Sequence, residues 1–171
     1  PRPGTQSIEF HNGDRCGYVT SLDAARLLSL HKEMGGVVQL DLRVGDHLVP
    51  GQVLGRVWGA EVPDGARSRL RAVVVVAHER DVAADIAFGI RQLLDIAERA
   101  LSPGVNDPTT AVQVVNERHV VLGALGQLRD PSPYLEKGGE VIALYRSQRF
   151  AGMVEAAVTE LLHYGTGSPR V

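Results

Sequence analysis

Between residues 85 and 110 stand the polar side chains whose types and spacing offer most chemistry: Asp85, Arg91, Asp95, Arg99, Ser102, Asn106, Asp107 and Thr110. Arg91, Asp95 and Arg99 recur every four residues, so on a helix they share one face. As a solvated ladder they would contribute only roughly 0.3–0.5 kcal/mol per pair. A buried junction joining Arg91 or Arg99 to Asp85 or Asp107 would be different, because breaking it costs on the order of 3–5 kcal/mol. The run Ser102-Pro103-Gly104-Val105-Asn106-Asp107-Pro108 separates two helices. Pro103 biases Ser102 away from the helical region, Gly104 is free to adopt positive φ, and Asp107 with Pro108 suits the N-cap and first helical positions.

Three functions remain open for this corner. It is a structural junction that transmits movement or subunit contact, a small-ligand or ion site at a positive helix end, or a hydrolase with Asp85 or Asp107 as general base. The hydrolase needs a pocket and a perturbed carboxylate. Against a bound phosphate, the Asp107 carboxylate would itself occupy the free helix amides. The junction is the preferred reading.

The remaining reactive residues are sparse. Arg67, Arg69 and Arg71 alternate, and are read as one exposed face of a strand that could meet lipid head groups or an acidic partner. No two histidines have metal-ligand spacing, and His78-Glu79 is not followed by the second histidine of a zinc protease, so no metal site is assigned. Cys16 is single, so neither a disulfide framework nor a cysteine metal site is expected. There is no nucleophile elbow, P-loop or dinucleotide glycine pattern, and no cofactor is assigned. A net charge of −2 argues against nucleic acid as a partner.

The elements that must position these residues read as an α+β domain. Residues 1–16 are a tail or linker, 17–78 a mixed helix and β unit, and 79–171 a mainly helical part of the same domain. Gly17-Tyr18-Val19 is a strand fragment, and Thr20 or Ser21 caps a helix that Gly35-Gly36 ends. Val38, Leu40, Leu42 and Val44 alternate as in a half-buried strand. Gly45-Asp46, Pro50-Gly51 and Pro63-Asp64-Gly65 are turns, and residues 70–78 a long strand. This turn-rich unit is similar to halves of barrel-sandwich domains, but Lys32 and Lys137 both lie outside it, so it lacks the lysine of a biotinyl or lipoyl carrier. Val82, Ile86, Ile90, Leu93, Ala97 and Leu101 form the buried stripe of a helix from Asp81. A second helix starts at Pro108, residues 140–146 form a strand, and a last helix carries Phe150, Met153, Val154, Ala157, Val158, Leu161 and Leu162.

Glu79-Arg80, Asp85, the segment Phe88-Gly89-Ile90-Arg91-Gln92-Leu93-Leu94-Asp95-Ile96-Ala97, and Ala100-Leu101-Ser102-Pro103-Gly104-Val105-Asn106-Asp107-Pro108 with Thr110-Ala111 resemble the signature of a bacterial family. It is the predicted membrane protein family called domain of unknown function 2254. Gly17-Tyr18-Val19, Leu22-Asp23, Tyr164-Gly165 and Ser168-Pro169 also fit. The resemblance implies several membrane-spanning helices before Pro1 and further chain past Val171. This segment would then be an extramembrane sensing, gating or assembly domain, attached to its own transmembrane segment and homo-oligomeric. No activity comes with the resemblance.

Overall fold

The computed structural model describes residues 6–63 and 65–165, so Asp64, Ser168 and Pro169 lie outside the described residues. The fold class is α+β, with two sheets and five helices among those residues. The chain divides into two compact units: residues up to Asp85 with Ser132–Ser147, and Ile86–Pro131 with the segment from Gln148.

In the first unit, β1 (Ser7–His11), β5 (Val53–Trp58), β3 (Val37–Leu40), β8 (Glu140–Leu144) and β7 (Tyr134–Lys137) lie in that order in a five-stranded sheet. A second sheet has the order β4 (His47–Leu48), β2 (Gly17–Leu22), β6 (Val74–Ala77). Ser7–His11, read from sequence as part of a tail, is therefore a sheet strand, with Phe10 only 2% exposed. Ile8 and Phe10 do alternate with polar residues, but over only five residues, and the partner β5 is remote in sequence. Alternation in β3 buries Val38 and Leu40, which join Phe10, Leu54 and Val57 in the core. Burying each such side chain is worth roughly 1.5–3 kcal/mol.

Helix α1 (Ala24–Met34) starts two or three residues later than a cap at Ser21 or Thr20 would place it. Ser21 and Leu22 are held in β2 against Val75 and Val74, so the cap falls to Asp23, whose Oδ1 accepts from the Arg26 amide at 2.9 Å. Gly35, at φ 70°, ends the helix as expected. Residues 70–78 are not one long strand: α2 (Ala66–Arg71) precedes β6. Ala66 and Leu70, four apart and fully buried, supply its inner stripe, so Arg67, Arg69 and Arg71 decorate a helix rather than a strand face.

The strands β7 and β8 enclose Gly138 and Gly139 at φ 63° and 84°, the backbone that a two-residue hairpin needs. β8 then runs parallel to β3, with Val38 opposite Ala143. This segment lies in the part that the sequence reads as mainly helical.

The second unit holds α3 (Ile86–Leu101), α4 (Pro108–Leu125) and α5 (Phe150–Gly165), with α3 packed on both others. α3 begins at Ile86, not Asp81, because residues 81–85 close a tight turn in which the Ala83 amide donates to Asp81 Oδ1. Its buried stripe is Ile90, Leu94, Ala97 and Ala100, rotated from the expected one, and Val82 and Ile86 are exposed. In α5, Ala157 is buried and Val158 is exposed. The Phe150 amide at the start of α5 donates to Asp130 Oδ1 at 2.8 Å, satisfying one of the free amides of that helix end.

Candidate functional site

The corner between α3 and α4 is assembled from the backbone groups that two helix ends leave unsatisfied. On the α3 side, Ser102 Oγ and the Ser102 amide both donate to the Arg99 carbonyl, at 2.7 and 3.3 Å. The Asp107 amide reaches back to the Ala100 carbonyl at 2.7 Å, and the amides of Val105 and Asn106 donate to the Ser102 carbonyl. On the α4 side, Asp107 Oδ1 accepts from the Thr109 and Thr110 amides at 3.1 and 3.2 Å. Its Oδ2 accepts from Thr110 Oγ1 at 2.6 Å. Asp107 is thus the N-cap and Pro108 opens the helix, as the residue types predict.

The chain reverses through Asn106, at φ 46°, the one non-glycine residue with positive φ among the described residues. The expectation that Gly104 takes this role is corrected. Asparagine tolerates the left-handed region better than other side chains do, and Gly104 is not among the residues at positive φ.

The Thr110 hydroxyl and then the Thr110 amide hold the Asp107 carboxyl below its ordinary value, against an opposing effect of burial smaller than either, with the Thr109 amide adding least. A general base working near neutral pH needs the opposite shift. With both oxygens engaged by its own helix, Asp107 is fitted to hold α4. It forms no ion pair with Arg91 or Arg99 among the described residues, so that form of the expected junction is absent.

Arg91 and Asp95 pair with each other at 3.1 Å on a face where both are about half exposed, 50% and 54%. An i, i+4 pair of this exposure is worth on the order of 0.3–0.5 kcal/mol. Arg99 is exposed.

Asp85 belongs to the first unit and is buried, 1% exposed. Its Oδ2 accepts from Arg80 Nε at 3.0 Å and from Arg80 Nη2. The pair lies against Gly45, where an added Cβ would come within 2.2 Å of Asp85 Oδ2 and 2.8 Å of Arg80 Nη2. Gly45 also sits at φ 92°, so the turn expected at Gly45-Asp46 clears space for a buried charge pair. Arg80 and Gly45 were legible only as a signature residue and a turn residue, because their partnership with Asp85 is long-range.

Three buried or half-buried polar residues had no sequence signal. Arg118 is 2% exposed on the α4 stripe with Ala111 and Val114. Asn12 is fully buried, its Nδ2 donating to the Arg15 and Val49 carbonyls. Arg15 donates through Nη1 to the Val74 carbonyl at 2.7 Å and through Nη2 to that of Arg71 at 3.0 Å.

Uncharacterized proteins of Mycobacterium bovis and Mycobacterium tuberculosis are each 32% identical to this chain over 161 residues, covering 91% of it. The chain spans about a third, 31%, of the length of these relatives. No solved structure matches it significantly. Among the described residues, no helix is long and apolar enough to cross a membrane. The family model described as "Predicted membrane protein (DUF2254)" matches residues 3–171, and the chain belongs to that family.

Proposed function

We propose that this chain is a non-catalytic, extramembrane assembly domain of a multi-pass bacterial membrane protein. In this reading the corner carrying Ser102, Asn106, Asp107 and Thr110 is a brace that fixes α3 against α4. One observation carries it: both oxygens of the Asp107 carboxylate are taken by the amides and hydroxyl that a ligand would otherwise use. A brace needs its polar groups satisfied internally, because an unsatisfied helix end invites water or a ligand. The Arg91–Asp95 pair on the exposed face of α3 and the buried Arg80–Asp85 pair are likewise closed within the chain, which favours architecture over substrate chemistry.

The family description and the additional length of the relatives support placement beside membrane-spanning segments. Self-association is the expected task, with a second copy of the domain as partner. Multi-angle light scattering on the purified 171-residue chain, across a wide concentration range, tests it. The expected result is a concentration-dependent dimer or higher oligomer that Asp107→Ala weakens. A monomer at every concentration would remove assembly from the account.

A further inference from the structure

The described arginines of the first unit as far as Arg80 follow a rule with one local exception. Arg26 pairs with Asp23, Arg43 with Asp46, Arg56 with Glu9 and Asp41, Arg69 with Glu33, and Arg80 with Asp85. The three without a carboxylate among the described residues are Arg15, Arg67 and Arg71, and they occur together. Arg67 and Arg71 are four apart on α2, hence neighbours on one helix face. Arg15 Nη2 is bonded to the Arg71 carbonyl.

The arrangement is built. Arg71 Nε donates to the His11 carbonyl at 2.9 Å. Its guanidinium lies over Gly13, where a Cβ would meet Nη1 at 2.9 Å and Cζ at 3.0 Å. Gly13, at φ 71°, thus lets the guanidinium settle against backbone. Neither terminal nitrogen of Arg71 has a hydrogen-bond partner among the described residues, and Arg67 is exposed. Burial, and then the positive charge of Arg71, lower the pKa of Arg15, as expected where like charges gather without a counter-ion. Asp14, in the same loop, makes no ion pair among the described residues.

We infer that Arg67 and Arg71, backed by Arg15, form a binding site for a phosphate group, either the phosphodiester of an anionic lipid or a free phosphate. Guanidinium forks match phosphate oxygens, and each basic side chain near an anionic membrane strengthens binding about fivefold. The site does not depend on self-association, so a monomeric chain that binds phosphate would separate the two proposals.

The test uses the 171-residue chain. Co-sedimentation is measured with phosphatidylcholine vesicles with and without phosphatidylglycerol, and inorganic phosphate is titrated by calorimetry. Arg67→Gln, which removes no hydrogen bond or ion pair among the described residues, is expected to weaken binding about fivefold, and Arg67→Gln with Arg71→Gln about thirtyfold. The double change Glu33→Gln with Arg69→Gln leaves the net charge unaltered and is expected to leave binding unaltered. Arginine-dependent binding to phosphatidylglycerol vesicles assigns the lipid source. Arginine-dependent binding of inorganic phosphate without a vesicle preference assigns the free one. Binding to neither, or binding that survives the Arg67 and Arg71 changes, overturns the inference.

Discussion

Asp107 and Asp85 both lie in the segment that resembles the family, and their surroundings give them different work. The Thr110 hydroxyl depresses the Asp107 carboxyl, so its contribution to stability is present above the unfolded pKa and is lost as pH falls toward the folded one. Thr110→Val removes that donor and lets the carboxyl rise toward its ordinary value. Acid unfolding followed by circular dichroism is then expected to begin at higher pH than in the parent chain, and an unchanged acid limb would deny the hydroxyl its role. Asp85 is closed in by Arg80 and Gly45. Asp85→Ala removes the buried carboxylate that pairs with Arg80 and is expected to cost about 3 kcal/mol or more in urea unfolding. Gly45→Ala meets both partners and a left-handed backbone, and is expected to cost about 2 kcal/mol or more. The Asp107 cap was legible because Asp, Pro and Thr act on their own neighbours along the chain. The Arg80–Asp85–Gly45 contact was not, since it joins a turn to residues about forty positions away.

Among the elements, those specified by local chemistry were the ones read correctly. Asp107-Pro108 starts α4 where capping preference places it, and Gly35 stops α1. Strands whose alternation was plain were also found, β3 at Val38 and Leu40 and β8 within residues 140–146, but other elements that depend on distant partners were misplaced. The valine run at 73–76 suggested a strand reaching back to Leu70, yet Ala66 and Leu70 turn the preceding residues into α2 by burying one helical face. Strand β1 becomes a strand only by pairing with β5, and β7, which was not expected, by pairing with β8. Arg118 defeated pattern reading altogether, because a charged residue at a core position of α4 looks like the edge of its polar face. Truncating Leu70, the inner anchor of α2, is expected to destabilise the chain by roughly 2–5 kcal/mol, read as a shift in the urea midpoint without a change in slope. A near-neutral Leu70→Ala would mean that α2 is held by its surface arginines instead.

At the scale of the whole molecule, the chain is about a third of the length of its mycobacterial relatives and belongs to a family described as a predicted membrane protein. Composition alone indicated a folded domain of nearly balanced charge; the resemblance in residues 79–111 supplied the family. The proposed assembly role rests on the corner between α3 and α4 being rigid. Amide hydrogen exchange, read residue by residue at Asn106, Asp107, Thr109 and Thr110, tests this most directly. The account predicts slow exchange at all four, with the Thr109 and Thr110 amides released by Asp107→Ala. Exchange at the rate of an open loop in the parent chain would contradict it.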